Sequence, residues 1–318
     1  MTGTMPRLTR ALAMVGVLTL MATACAPADE EPAPGGTAAT PTGGTFSTFI
    51  TEPEHLSPGN TSESEGLAVL EALFTTLVEI EPRTGEPVNA MAESIETDDN
   101  KTFTIKIRDG WSFHNGEEVT ARSFVDAWNY VAFGPNAQQN SSFFSQIEGF
   151  EAVHPSPPEG QTEPPSPAAD RLSGLEVVDE LTFRVTLSEP FAQFPMTLNY
   201  IAFAPVPEAF FDDPKAFEES PVGNGPFMMD GEWEHNQRIR TQAFPDYAGE
   251  DEPAATGIEF RIYEDVSTAY NDLLAGDLDV VRSLPPERIA EAKQEFGDRY
   301  AVSPNASYNA IGFPEYLP

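Results

Sequence analysis

The sequence predicts an α/β fold of mixed sheets with helices, and three observations carry that reading. Short stretches alternate apolar and polar residues, the mark of half-buried strands. Elsewhere, apolar residues recur every three to four positions behind a capping residue, the mark of amphipathic helices. From Ile258 onward the two patterns take turns, strand then helix then strand then helix, which is how an α/β layer is built.

Taken in chain order, Ser62 and Glu65 have capping-box spacing ahead of Leu67, Leu70, Phe74 and Leu77, which predicts a helix from about Glu63 to Glu79. Phe103, Ile105 and Ile107 alternate with Thr102, Thr104, Lys106 and Arg108, a strand with one wet face. Turns follow at Asp109-Gly110 and Asn115-Gly116, and Thr120 caps a helix bearing Phe124, Val125, Trp128 and Val131 on one side. Leu181, Phe183, Val185 and Leu187 form a second alternating strand, ended by Glu189-Pro190, and Ile258, Phe260 and Ile262 form a third. A helix from about Ser267 to Ala275 stops at Gly276 and leads into a short strand from Leu278 to Val281. Pro286 suits the first turn of a last helix that runs through Ile289 and Ala292 to Phe296 and is stopped by Gly297. Between the second helix and second strand, prolines crowd the stretch His154–Pro167, which forbids helix or sheet interiors there and predicts an extended surface insertion.

With 51 acidic and 17 basic residues the chain carries a net charge of −34, so phosphate is repelled and nucleic acid is excluded as a partner. The carboxylates are spread along the chain, which reads as a solvated acidic surface rather than a cation site. A hydrophobic fraction of 40% is enough to fill a real core, and the length suits two subdomains.

Catalytic patterns are missing from the sequence. There is no G-x-S-x-G elbow, no H-E-x-x-H, no C-x-x-C and no Gly-Lys dipeptide for a Walker A loop. His55, His114, His154 and His235 lack ligand-like spacing, so no metal and no cofactor is expected. Gly223-Asn224-Gly225 is a poor dinucleotide loop because Pro226 interrupts the helix start that a phosphate site needs.

At the beginning, Arg7 and Arg10 precede an apolar run from Ala11 to Ala22, about half of the roughly 20 residues that span a bilayer, which reads as an export signal over residues 1–24. Ala22-Thr23-Ala24-Cys25 resembles a bacterial lipoprotein processing site with Cys25, the only cysteine, as the lipidated residue; the alternative is a secreted protein with an unpaired thiol. Pro, Gly, Ala and Thr dominate residues 25–44, a flexible leash.

The block Lys101–Trp128 closely resembles one in the family 5 extracellular solute-binding proteins of ABC importers for oligopeptides, dipeptides and nickel chelates. The likeness continues, in the family's order, through Gly44-Thr45-Phe46, Glu52–Pro58, Leu73–Glu79, Thr84–Pro87, Pro221–Phe227, Phe244–Tyr247 and Leu274–Asp279. It implies a periplasmic-binding-protein-like fold of type II, cluster C, with lobe I in residues 45–71 and 189–305 and an inserted subdomain in residues 72–188. The second lobe is then largely missing, residues 306–318 being its start. The implied protein is a monomeric binding lipoprotein, held through Cys25 at the outer face of the cytoplasmic membrane or residing in the periplasm, that hands peptides to permease subunits.

The same resemblance implies that Glu52, His55, Ser142 and Phe143 face the ligand cleft and that Asn224, at a tight turn near the hinge, is also ligand-binding. Each has a purely structural alternative: Glu52 orders its own turn, Phe143 is core, and the glycines beside Asn224 serve backbone geometry. The family's acidic group for the peptide N-terminus usually comes from the second lobe, so this chain is expected to bind peptide weakly. The rival readings are a secreted hydrolase and a sensing or chaperone lipoprotein on the same fold.

Overall fold

A computed structural model describes residues 43–81, 84–250 and 253–302. Ten strands occur among the described residues: β1 (Thr45–Ile50), β2 (Val78–Ile80), β3 (Pro87–Asn89), β4 (Ala92–Glu96), β5 (Thr102–Ile107), β6 (Leu175–Val177), β7 (Thr182–Thr186), β8 (Phe227–Met229), β9 (Arg238–Ala243) and β10 (Gly257–Ile262). They form a mixed sheet ordered β1-β10-β9-β8, a two-stranded ribbon β2-β3 and an antiparallel sheet β4-β5-β7-β6. Only the β1–β10 pair of the first sheet is parallel, Thr45 facing Gly257 and Ile50 facing Ile262.

Alternation settles which face of β5 and of β7 is buried. Phe103, Ile105 and Ile107 of β5 and Phe183 and Val185 of β7 are at most 1% exposed, and they meet the apolar stripe of helix α2 (Ala121–Ala132). Phe124 stacks on Phe183 with centroids 5.6 Å apart, and Trp128 sets its edge against Phe183 and Phe203 while its Nε1–H donates to the Phe203 carbonyl at 3.0 Å. The indole is thus buried without an unpaired polar atom. Thr120 caps α2 in a reciprocal box with Ser123, and Gly110 and Gly116 take the positive φ that the two preceding turns need. The apolar core runs without interruption from Ile50 and Phe260 under the first sheet to Phe103 and Trp128 under the second. A small separate cluster of Phe49, Ala269 and Leu278 sits beneath the helix Val266–Ala275.

Several elements depart from the sequence reading. Helix α1 spans Ser64–Leu73 and stops well short of Glu79, and its cap is Glu63, whose carboxylate accepts from the Gly66 N–H at 2.7 Å, while the Ser62 hydroxyl turns to Gln139. Leu278–Val281 is no full strand. Val280 bridges Thr48 at a single position, and the Asp279 carboxylate receives the Ser47 N–H and hydroxyl, both at 2.8 Å, pinning the segment to the edge of β1. Pro286–Arg288 is a 3-10 turn, with the α-helix beginning at Ile289 and ending at Phe296. His154–Pro167 contains neither helix nor strand, and Gly276 stops its helix at φ 82°.

Candidate functional site

The residues expected at the site divide between the two ends of α1. At its N-terminal end, the loop Glu52–Ser62 is sewn to the 3-10 helix Gln139–Phe144. The Asn140 amide donates to the carbonyls of Pro58 and Thr61 at 3.0 and 2.8 Å, and the Gln139 N–H donates to the Asn60 carboxamide oxygen at 3.2 Å. Thr61 stiffens the loop from within, donating to the His55 carbonyl at 2.9 Å and accepting from the Ser57 N–H. Loop and 3-10 helix are therefore joined through Pro58, Asn60 and Thr61; Glu52 and His55 lie on the loop, Ser142 and Phe143 on the 3-10 helix.

Phe144 is fully buried, whereas Phe143 is 40% exposed and lies flat on Tyr200, centroids 4.2 Å apart and planes 20° off parallel. The core alternative for Phe143 is thereby excluded. Burial holds the Tyr200 hydroxyl above its ordinary pKa, so the ring pair offers a neutral aromatic face. Ser142 beside it is exposed.

Glu52 is already engaged. One carboxylate oxygen takes the Asn236 N–H at 2.8 Å and the other faces His235 Nδ1 at 2.8 Å, while His235 Nε2 faces Glu219 at 3.0 Å. His55 Nδ1 donates to Glu218 at 3.0 Å, and the Ser57 hydroxyl donates to the other Glu218 oxygen at 2.6 Å. Ser57, Glu218 and His55 do not make a nucleophilic relay, because the hydroxyl bonds the carboxylate rather than the imidazole and is only 2% exposed. His235, Glu218, Glu219 and Tyr200 carried no sequence signal for this site; each lies far along the chain from Glu52, and only tertiary contact brings it there.

Asn224 lies at the opposite end of α1. A ten-residue helix is about 15 Å long, and it stands between Asn224 and the loop Glu52–Ser62. It has no exposed surface: its amide donates to the Thr75 carbonyl at 3.0 Å and its oxygen accepts from the Thr75 N–H at 3.3 Å. That clasp, with the Gly225 N–H donating to the Leu73 carbonyl at 2.8 Å, is why α1 ends where it does. Gly223 and Gly225 are required by close approach rather than by dihedral angle, since a Cβ would lie 1.9 Å from the Leu73 oxygen at the first and 2.6 Å from the Leu73 carbonyl carbon at the second. His114 completes the clasp: its Nδ1 accepts from the Gly223 N–H at 3.1 Å and its Nε2–H donates to the Gly225 carbonyl at 3.1 Å. Burial pushes its pKa down to about 4.

Three cavities lie elsewhere among the described residues, the smallest, of about 350 Å³, beside Thr120 and Glu180. One of about 840 Å³ runs along α2, lined by Tyr130, Phe133 and Phe211 with Glu118 and Asp170, and one of about 710 Å³ lies among Val280, Ile289 and Phe296. None of the three is lined by Glu52, His55, Ser142 or Phe143. Among the described residues no group of three His, Cys, Asp or Glu side chains is placed to hold a metal, and no helix is long and apolar enough to cross a membrane. Cys25, the export signal and residues 306–318 lie outside the described residues.

This mixed sheet and antiparallel sheet on one continuous core match the fold of solved periplasmic binding proteins. The solved structure of the Escherichia coli murein tripeptide binding protein MppA has this fold, with a TM-score of 0.70, 24% identity, and coverage of 82% of this chain and 49% of that one. Haemophilus influenzae OppA, solved in complex with RPPGFSPFR, gives a TM-score of 0.70 at 28% identity, covering 80% of this chain and 49% of that one. The chain belongs to the bacterial extracellular solute-binding proteins, family 5, whose middle region matches residues 86–316. Among curated relatives, the Bacillus subtilis oligopeptide-binding protein OppA is 28% identical over 254 residues, 77% of this chain and 44% of the relative. The Bacillus subtilis dipeptide-binding protein DppE is 33% identical over 199 residues, 61% of this chain and 34% of the relative. The chain thus spans less than half the length of these two relatives.

Proposed function

We propose that this chain is part of the substrate-binding component of an ABC importer, capturing oligopeptides or dipeptides outside the cell and delivering them to the permease. The observation that supports the reading is the exposed Phe143 ring stacked on Tyr200, beside the exposed Ser142, on a 3-10 helix bonded to the loop that carries Glu52 and His55. Aromatic faces accept apolar side chains of many shapes, while carboxylates and exposed hydroxyls accept main-chain N–H groups, a division suited to peptides of varied sequence. Binding without chemistry accords with Ser57 being spent on Glu218 and with the binding roles printed for the relatives. Anchoring through a lipidated Cys25, a monomeric state, and the division into lobe I and an inserted subdomain belong to the same proposal.

One lobe buries far less of a ligand than the 70–90% of an enclosed pocket, so affinity for this chain alone is expected to be about millimolar. Titration of the labelled chain with mixed di- to pentapeptides, followed by NMR, tests the assignment. Saturable shifts centred on Glu52, Ser142, Phe143 and Tyr200 are expected. Shifts confined to other surfaces, or turnover of the peptide, would refute it.

A further inference from the structure

The geometry points to His235 as a positioning residue for Glu52, one that makes the setting of the loop Glu52–Ser62 depend on a proton. Its ring lies between two carboxylates from different parts of the chain: Glu52 from the loop after β1, at 2.8 Å from Nδ1, and Glu219 from the helix Pro214–Glu219, at 3.0 Å from Nε2. A carboxylate oxygen accepts and does not donate, so both contacts are hydrogen bonds only when both ring nitrogens carry hydrogen. The arrangement is therefore built for an imidazolium, and a neutral ring keeps one of the two bonds and turns a lone pair toward the other carboxylate. From its own turn, Trp233 packs on the ring with centroids 4.1 Å apart, a contact that also favours the cation. The charged groups facing the ring are thus Glu52 and Glu219, and they hold its pKa above that of a free histidine, the hydrogen bond to Glu52 most of all.

What the bridge positions is more than one side chain. The second Glu52 oxygen takes the N–H of Asn236, a turn residue at φ 59°, in the left-handed region that asparagine tolerates. The next carboxylate on the same helix, Glu218, receives His55 and Ser57 from the same loop. Two adjacent glutamates thus tether this loop, one through His55 and Ser57 directly and the other through His235, and only the latter tether requires a doubly protonated ring. For the ligand, a consequence that rests on the peptide reading above, an ammonium group arriving at Glu52 competes with His235 and drives off its proton. Cationic peptides then bind more tightly as His235 deprotonates.

The test needs no ligand, so its failure and that of the peptide reading are separable. In the whole chain, the four histidines are followed by NMR over pH, with the His235 signal identified by its loss in His235→Ala, and hydrogen exchange of the Asn236 amide is measured and corrected for its intrinsic rate. His235 is expected to titrate above the free value of about 6.5, Glu52→Gln and Glu219→Gln each to lower it, and Asn236 protection to fall severalfold as the ring loses its proton. In His235→Ala that dependence should vanish; if this variant fails to fold, Glu219→Gln serves, because it leaves the Glu52–Asn236 bond in place and should shift the same profile to lower pH. A His235 that titrates at or below the free value, or Asn236 protection that stays flat across its titration, would overturn the assignment.

Discussion

Acidification should loosen the clasp at the C-terminal end of α1 through one residue, His114. In the folded chain Nδ1 must remain bare to accept the Gly223 N–H, so protonation breaks that bond and places a cation in a buried site. The folded pKa of about 4 against an ordinary 6.5 means that the unfolded chain binds the proton more readily between those values. Stability from this group is therefore complete above about pH 6.5 and is lost as pH falls toward 4, by roughly 3 kcal/mol at about 1.4 kcal/mol per unit. That is a large share of the roughly 5–15 kcal/mol typical of a folded domain. Urea unfolding from about pH 7 down to about pH 4 measures it, with His114→Asn as a reference that keeps a polar atom for Gly223 and does not titrate. Taking the difference between the two proteins removes the shared contributions, including that of Glu71, whose carboxyl is raised by burial and works in the opposite direction as pH falls. Parallel stability curves for the two proteins, or an imidazole signal for His114 that titrates near 6, would refute the reasoning.

Further predictions follow from the same clasp and from the Phe143–Tyr200 pair. Gly225→Ala drives a Cβ into the Leu73–Phe74 backbone, 2.6 Å from both the Leu73 carbonyl carbon and the Phe74 nitrogen, and should cost about 3 kcal/mol through strain and the weakened Gly225–Leu73 bond; a variant that melts with the parent contradicts this. Phe143→Ala removes a part-exposed ring stacked on Tyr200, so stability should fall by about 1–2 kcal/mol while peptide-induced NMR shifts at Tyr200 and Glu52 are lost. Undiminished shifts in that variant would remove the aromatic pair from the binding surface.

Elements whose fate is decided locally were legible in the sequence. The strand around Phe103–Ile107, the turns at Gly110 and Gly116, the cap at Thr120 and the stop at Gly276 each follow from periodicity, φ preference or capping within a few residues. The end of α1 was not legible, because the periodic apolar residues Phe74 and Leu77 continue a helical pattern that Asn224, Gly225 and His114 interrupt from far along the chain. The glycines beside Asn224 and its amide serve a backbone crossing with Leu73–Thr75 that no local pattern can display.

By itself the sequence determined the alternation of strands and helices, the acidic surface, the want of catalytic motifs and the likeness to a family of solute-binding proteins, since each resides in composition or in neighbours along the chain. Tertiary structure alone decided that Phe143 lies exposed on Tyr200, that Asn224 is interior, and that Glu52 is held by a histidine 183 residues away. Burial and charge pairing are properties of surroundings, and those surroundings exist only once the β1–β10 pairing and the shared core have brought distant segments together.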